Sequence, residues 1–169
     1  MIVPACPGWG AASGACPCMS RLLNLRPCLH ATADMNSPRR PLTEPCPCGG
    51  VAGYAECCGR YHPGGILPMQ APTPEALMRS RYTAFVKDIR PYLLETWHPT
   101  TRPAGIEPPE PGLKWLGLSI KEAPVPSDSR GRVSFVARFK IGGKAERLEE
   151  TSDFVREQGH WYYLSAVTP

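Results

Sequence analysis

The spacing of apolar residues changes along the chain, from helical before Gly112 to alternating after it. Before Gly112, four apolar residues recur at i, i+4, i+7 and i+11, as on one face of an α-helix: Met78, Tyr82, Phe85 and Ile89. Three basic residues fall off this stripe: Arg79, Arg81 and Lys87. Because Thr73 is a suitable N-cap and Pro74 suits the first helical position, the helix is predicted to begin at Pro74.

A second helix is predicted over 91–97, because Pro99 disfavours helical geometry in the residue before it. Beyond Gly112, apolar and polar residues alternate, which is typical of half-buried strands. Four strands are predicted there: 116–120, 133–141, 147–157 and 160–166. Gln158 and Gly159 suit a tight turn between the last two strands.

Two helices followed by an antiparallel meander predict an α+β fold, with the helices on one face of a curved sheet. Three residues are expected as walls of its core: Trp97, Trp115 and Trp161.

Four cysteines precede the first helix as two pairs, Cys46-Pro-Cys48 and Cys57-Cys58, separated by eight residues. Zn²⁺ takes four such sulfur ligands at tetrahedral corners, and a structural site uses all four. The stretch 44–62 holds too few large apolar residues to bury a core of its own, so a bound metal is the simplest source of its stability. The pattern therefore predicts a structural zinc ion on Cys46, Cys48, Cys57 and Cys58.

Other interpretations of the cysteines stay open at this point. Two disulfides between the pairs are geometrically possible, although a bridge between Cys57 and Cys58 would strain the peptide that joins them. Such bridges suit secreted chains, whereas the N-terminal residues lack the basic start and apolar core of a secretory signal. Redox-active thiols are a third interpretation. His62 is the nearby histidine that is compatible with replacing a cysteine as ligand.

Residues 1–44 differ in composition from the rest of the chain, because they are rich in Pro, Gly, Ala and Ser and show neither period. They are expected to form a disordered leader, or to lie outside the native protein if translation starts at Met35 or Met19. Four further cysteines lie in this segment and are compatible with a second metal site, although their spacing matches no familiar knuckle: Cys6, Cys16, Cys18 and Cys28.

Several short motifs follow the cysteines in a recognisable order. They are Pro74–Val86, Tyr92–Pro99, Trp115-Leu-Gly-Leu, Phe135-Val-Ala-Arg-Phe, Phe154-Val-Arg-Glu and Trp161-Tyr-Tyr. The cysteine pattern resembles the SEC-C zinc motif of the SecA translocation motor, and the whole series resembles the bacterial YchJ family over about 70% of the chain. The resemblance implies a zinc knuckle over 45–63, followed over 70–167 by a cone-shaped α+β domain like nuclear transport factor two. It leaves the activity open.

The resemblance also implies a cavity between the helices and the concave face of the sheet. Cones of this fold bind small molecules or partners there, and some are lyases, isomerases or dehydratases. An enzyme would draw on four residues: Tyr82, His98, Arg138 and Asp153. His98 is compatible with a general base oriented by Asp153, and Arg138 with binding a carboxylate or phosphate.

Each of these four residues also has a structural interpretation. Tyr82 belongs to the helical stripe, and His98 is placed to cap the end of the second helix. Arg138 is expected to face water, and Asp153 to pair with a cation on the sheet surface. A protein-interaction or small-ligand-binding module with a structural zinc is therefore the predicted function. An enzyme of the lyase, isomerase or hydrolase type that uses the cavity is the alternative.

The knuckle is expected to dock a protein partner, as the resemblance to the SecA motif implies, through Arg60, Tyr61 and His62. Contact with nucleic acid or the ribosome would use five arginines: Arg39, Arg40, Arg60, Arg79 and Arg81. A net charge of +4 gives this nucleic-acid interpretation little support.

The longest apolar run is too short for a membrane span, so a cytoplasmic protein is expected. Loss of a cysteine ligand is expected to unfold the knuckle while the cone keeps an independent core.

Overall fold

The computed structural model of the protein describes residues 44–65 and 70–167. These residues fall within one compact unit, Arg39–Pro169. Residues 1–43 of the predicted leader lie outside the described residues, and so do the starts considered at Met35 and Met19 and the second group of cysteines. Among the residues described, no helix combines the length and the hydropathy needed to cross a membrane.

The first helix, α1, begins as predicted and spans Pro74–Val86. The backbone N–H of Ala76 donates to the hydroxyl of Thr73 over 3.1 Å, which is the expected N-cap bond. Before α1, the cysteine segment forms two short 3-10 helices: Tyr54–Glu56 and Cys58–Tyr61.

The apolar stripe describes α1 only in part. Met78 and Tyr82 are buried, but Phe85 is 38% exposed. Arg81, which the stripe places on the outside, is only 3% exposed, and Ser80 is fully buried. A one-sided stripe misplaces these residues because α1 is covered on two sides, by the sheet and by the cysteine segment.

Four antiparallel strands form one sheet in the order in which they occur in the chain. They are β1 (Lys114–Glu122), β2 (Arg130–Ile141), β3 (Lys144–Glu157) and β4 (His160–Val167). The turn between β3 and β4 is Gln158–Gly159, as predicted, with positive φ at both residues. A second turn of this kind, Gly142–Gly143, joins β2 directly to β3, so β3 begins before the predicted residue 147.

The second helix, α2, spans Arg90–Glu95 and ends before the predicted residue 97. Trp97 instead forms a parallel bridge with Tyr163 on β4. The backbone N–H of His98 donates to the carbonyl of Tyr163 over 2.8 Å. The chain after α2 therefore extends the sheet edge, and this pairing holds Trp97 against the concave face.

The cysteine segment and the helix-and-sheet domain share one buried core. The cluster of buried residues contains three cysteines as well as side chains from both helices and the sheet: Cys46, Cys48, Cys58, Leu77, Tyr82, Leu93, Val133 and Phe154. The expectation that the cone keeps a core independent of the knuckle is therefore wrong. The knuckle is too small to bury its own sulfurs, so it buries them against α1.

Candidate metal centre and cone cavity

The four predicted ligand atoms converge on one point. The Sγ atoms of Cys46, Cys48, Cys57 and Cys58 all lie within 4.8 Å of one another. The separation is 3.6 Å between the sulfurs of Cys48 and Cys57, and 4.0 Å between those of Cys57 and Cys58. Four sulfurs bound to one zinc ion at about 2.3 Å would lie about 3.8 Å apart. The cluster therefore fits a tetrahedral metal shell, and all four cysteines are free thiols rather than disulfides.

Two glycines allow the backbone to turn tightly around the first cysteine pair. Gly49 has a φ of +77°, and its N–H donates to the carbonyl of Cys46 over 3.0 Å. A Cβ atom on Gly50 would lie 3.2 Å from the sulfur of Cys57. Side chains at these positions would strain the turn or crowd the sulfurs, so the glycines are part of the site.

The pKa of Cys46 shifts in the opposite direction from the pKa values of Cys57 and Cys58, because these thiols lie so close together. Hydrogen bonds from Cys48 and Cys58 lower the pKa of the Cys46 thiol. The bond to Cys46, together with burial, raises the pKa of Cys58, and burial raises the pKa of Cys57 to about 12. A bound divalent cation stabilises coordinated thiolates, so it removes this conflict between neighbouring sulfurs.

Several contacts fix the cluster to α1. The sulfur of Cys46 lies 3.9 Å from the hydroxyl of Thr83. Arg79 donates from Nη1 to the carbonyl of Cys48 over 3.3 Å. At the end of α1, Lys87 pairs with the carboxylate of Glu44 at 3.0 Å. The metal centre is thus built onto one face of α1.

His62 is a buried clamp between the knuckle and α1. It is 1% exposed, and its Nε2–H donates to the carbonyl of Ser80 over 3.0 Å. Its Nδ1 accepts from the hydroxyl of Tyr54 over 2.9 Å, and its ring packs edge-on against Tyr92. Burial lowers the pKa of His62, consistent with a neutral ring.

The prediction that His62 is an exposed partner-binding residue is wrong, because its side chain is buried. Both ring nitrogens have hydrogen-bond partners, so neither is a ligand of the cluster in this arrangement. Arg60 is exposed and Tyr61 is half-buried, so these two remain at the surface.

A cavity of about 330 Å³ lies between α1 and the concave face of the sheet. Half of its lining residues are aromatic: Tyr82, Phe85, Trp97, Trp115, Phe135 and Tyr163. Three polar residues also line it, namely Arg81, Glu150 and Ser152. Small-molecule sites commonly combine apolar walls with a few such polar groups.

Arg81 and Glu150 are charged residues of this cavity that were not predicted from the sequence, and Arg81 is the buried one. Its Nη1 donates to the carbonyl of Leu93 and to the hydroxyl of Thr96, both over 2.7 Å. The guanidinium also lies over the rings of Trp97 and Tyr163, 5.1 and 4.6 Å from their centroids. Burial lowers the pKa of Arg81 to about 10. Because Arg81 is buried, it is unavailable to bind nucleic acid at the surface. No local sequence signal distinguishes it from the other basic residues of α1.

The family profile described as "YchJ, middle NTF2-like domain" matches residues 73–166. The chain belongs to the YchJ family. A UPF0225 protein of Methylibium petroleiphilum is 58% identical over 71% of this chain and 85% of its own length. A UPF0225 protein of Bordetella parapertussis is 50% identical over 75% of this chain and 96% of its own length.

Two solved structures resemble this member of the YchJ family, and both are described as SEC-C motif containing proteins. The solution structure of RPA3114 from Rhodopseudomonas palustris has a TM-score of 0.63 and 31% identity, covering 73% of this chain and 98% of that one. A crystal structure from Psychrobacter arcticus has a TM-score of 0.58 and 27% identity, covering 76% and 84%. These findings confirm the predicted α+β architecture of a cysteine knuckle and an NTF2-like domain.

The structure of this YchJ protein does not bring the four catalytic candidates together. Tyr82 lines the cavity. His98 is buried elsewhere, where it bonds Glu157 at 3.1 Å and the hydroxyl of Thr100 at 2.7 Å, so its ring does not cap α2. Arg138 is exposed, as its structural interpretation predicted. Asp153 pairs with a surface cation, also as predicted, at 2.7 Å from Arg132.

Proposed function

We propose that this protein is a small-molecule-binding module whose cavity wall is stabilised by a structural zinc ion. The observation that carries the proposal is the aromatic cavity of about 330 Å³, into which a few buried polar groups converge. The alternative of a cone-class enzyme has less support, because only Tyr82 of its four candidate residues lines this cavity. The proposed role is binding rather than catalysis.

Zinc is the metal that best suits the cysteine cluster. Tetrahedral sites with four sulfur ligands hold zinc or iron, and zinc suits a purely structural role because it has no redox chemistry. All four sulfurs lie at distances that fit one shell, which leaves no open position for a substrate. Zinc would therefore hold the knuckle in shape against α1, and α1 in turn forms one wall of the cavity.

Two aromatic probes of equal size, benzoate and benzamide, test the cavity. At least one is expected to bind the zinc-loaded protein with a Kd of about 1 mM or tighter, measured by ligand-observed NMR. Leu148 lies at the edge of the cavity and is 42% exposed, so a Leu148→Trp variant should obstruct the cavity and weaken binding about tenfold. Val125→Trp is the matched control, because Val125 is 94% exposed and lies outside this cavity. Equal binding by both variants would place the probes elsewhere.

We also propose a protein partner for the exposed side of the knuckle. Val51, on the turn between the two cysteine pairs, is fully exposed, and the guanidinium of Arg60 lies 5.4 Å from the centroid of the Tyr61 ring. Exposed apolar, aromatic and cationic groups are features of docking sites, where aromatic residues and arginine are enriched.

Paired substitutions test this docking surface. A double variant, Arg60→Ala with Tyr61→Ala, is expected to lose cross-linking to a defined host protein that the wild type captures, because the stacked pair at the surface is removed. Its zinc content should remain unchanged, since neither residue is a ligand. Arg130→Ala removes an exposed arginine at the start of β2, outside the cysteine segment, and serves as control. Retained cross-linking in the double variant would reject this surface.

A further inference from the structure

We infer that the cone cavity selects a small aromatic carboxylate and that Arg81 is the anchor for its negative charge. This inference rests on the proposed small-molecule function and names the class of ligand. It follows from an incompletely paired cation and aromatic walls that meet in one cavity.

Arg81 carries a charge that its surroundings only partly satisfy. It is 3% exposed, yet the described residues offer hydrogen bonds only to its Nη1. None of the ion pairs formed by the described residues includes Arg81. A buried cation that makes no direct ion pair is costly even with the carboxylate of Glu150 in the same cavity, and a guanidinium is shaped to bind a carboxylate through two nitrogens. A carboxylate in the cavity would supply the missing partner.

Trp97 packs its ring beside this cation. Its Nε1 is buried and has no hydrogen-bond partner among the described residues. Trp97 lines the same cavity, and the guanidinium carbon of Arg81 lies 5.1 Å from its ring centroid. Because Nε1 itself is fully buried, only the ring of Trp97 faces the cavity. Buried polar groups normally have partners, so the unbonded nitrogens of Arg81 point to a ligand that brings acceptors.

The walls favour a flat ligand body. Tyr82, Trp115 and Phe135 line the cavity together with Trp97 and Tyr163, and aromatic rings pack well against one another by edge and face. A volume of about 330 Å³ is at the small end of ligand sites. One aromatic ring with one carboxylate matches both the size and the polarity.

Glu150 makes the inference sharply testable, because it opposes the binding of an anion. This half-buried carboxylate lines the cavity and accepts a hydrogen bond of 2.7 Å from the hydroxyl of Ser152. Its negative charge partly offsets Arg81 across the cavity. Removing that charge while keeping the side-chain shape, as in Glu150→Gln, should therefore strengthen the binding of an anionic probe and leave a neutral probe unaffected.

The test compares benzoate with benzamide on the zinc-loaded full chain by titration calorimetry or ligand-observed NMR. Benzoate is expected to bind about tenfold more tightly than benzamide, and Glu150→Gln is expected to tighten benzoate a further few-fold. Arg81→Gln should abolish the preference for benzoate. Because Arg81 also bonds the end of α2, this variant is interpreted only if its circular dichroism matches the wild type. The comparison of probes and the Glu150→Gln variant do not depend on it.

The outcomes separate this inference from the proposed function. If the two probes bind with equal affinity and Leu148→Trp weakens the binding of both, the anion preference would be overturned and the small-molecule function would stand. Failure of both probes to bind would overturn both. Tighter benzoate binding with no response to Glu150→Gln would place the carboxylate outside this cavity and overturn the assignment of Arg81.

Discussion

Replacing Cys48 with serine is expected to release the zinc ion and unfold the knuckle. Cys48 is fully buried at the centre of the cluster, where its sulfur lies 3.6 Å from that of Cys57. A serine hydroxyl does not ionise near neutral pH and cannot replace a thiolate ligand. The free energy of zinc binding in such a site is folding free energy, about 10 kcal/mol or more. Wild-type protein purified under reducing conditions should contain one zinc ion per chain, and the variant should contain less than half of that.

The loss should extend into the cone. Cys46, Cys48 and Cys58 belong to the same buried cluster as Tyr82 and Phe154, so a released knuckle exposes core surface on α1. We therefore expect the thermal midpoint of the whole described domain to fall, with a loss of at least about 2 kcal/mol in the free energy of unfolding. Elemental analysis and thermal denaturation followed by circular dichroism measure the two effects on one sample.

Cys28→Ser provides a matched control, because it makes the same chemical change at a cysteine outside the described residues. It should retain one zinc ion per chain and the wild-type midpoint. If Cys48→Ser kept full zinc occupancy, the ligand assignment would be wrong. If it lost zinc but kept the wild-type midpoint, the shared core would contribute little to stability.

Local chemistry in the sequence was enough to predict many elements. The start of α1 follows from the Thr73 cap and Pro74, and the last hairpin from Gln158–Gly159, because both depend on residues adjacent in the chain. The cysteine spacing likewise identified the four sulfurs that converge, since a knuckle brings together residues that are close in sequence. In these places local preference and final structure agree.

The errors share a different cause, which is tertiary packing. Arg81 and His62 were both expected at the surface and both are buried. Neither position carries a local signal, because Arg81 is buried by the sheet and α2, and His62 by α1. Trp97 was placed at the end of a helix, but its backbone pairs with β4 instead. An apolar stripe predicts the buried face of a helix correctly only when the helix is covered on a single face. The α1 helix is covered on two.

The position of α1 connects the two proposals. One side of this helix carries Ser80 and Thr83, which contact the knuckle, and the other side carries Arg81 and Tyr82, which line the cavity. A small domain has little other core with which to hold such a helix in place. The metal would thus preorganise the cavity through α1, without contacting the small molecule bound there.

Replacing His62 with alanine is expected to destabilise the protein while leaving the zinc content unchanged. The substitution removes the hydrogen bonds to Ser80 and Tyr54, removes the edge-on contact with Tyr92 and leaves a space in the core. Together these losses should reduce the free energy of unfolding by about 2–4 kcal/mol. Chemical denaturation of zinc-loaded samples measures the loss, and elemental analysis should still find one zinc ion per chain. Loss of zinc would make His62 a ligand after all.

The pH dependence of stability distinguishes two contributions of His62, namely the hydrogen bonds of its buried neutral ring and the volume that its side chain fills. Because burial lowers the pKa of His62 in the folded protein, the unfolded chain binds more protons when the pH falls below about 6.5, the ordinary value for histidine. The contribution of His62 to stability is therefore complete above that pH and is lost progressively below it. The difference in stability between wild type and His62→Ala should shrink from pH 7 to pH 5, and protonation of the metal thiolates, common to both proteins, cancels in that difference. Arg60→Ala, an exposed substitution two residues earlier, should stay within about 0.5 kcal/mol of wild type at every pH. A difference that stays constant with pH would mean that His62 contributes only its volume.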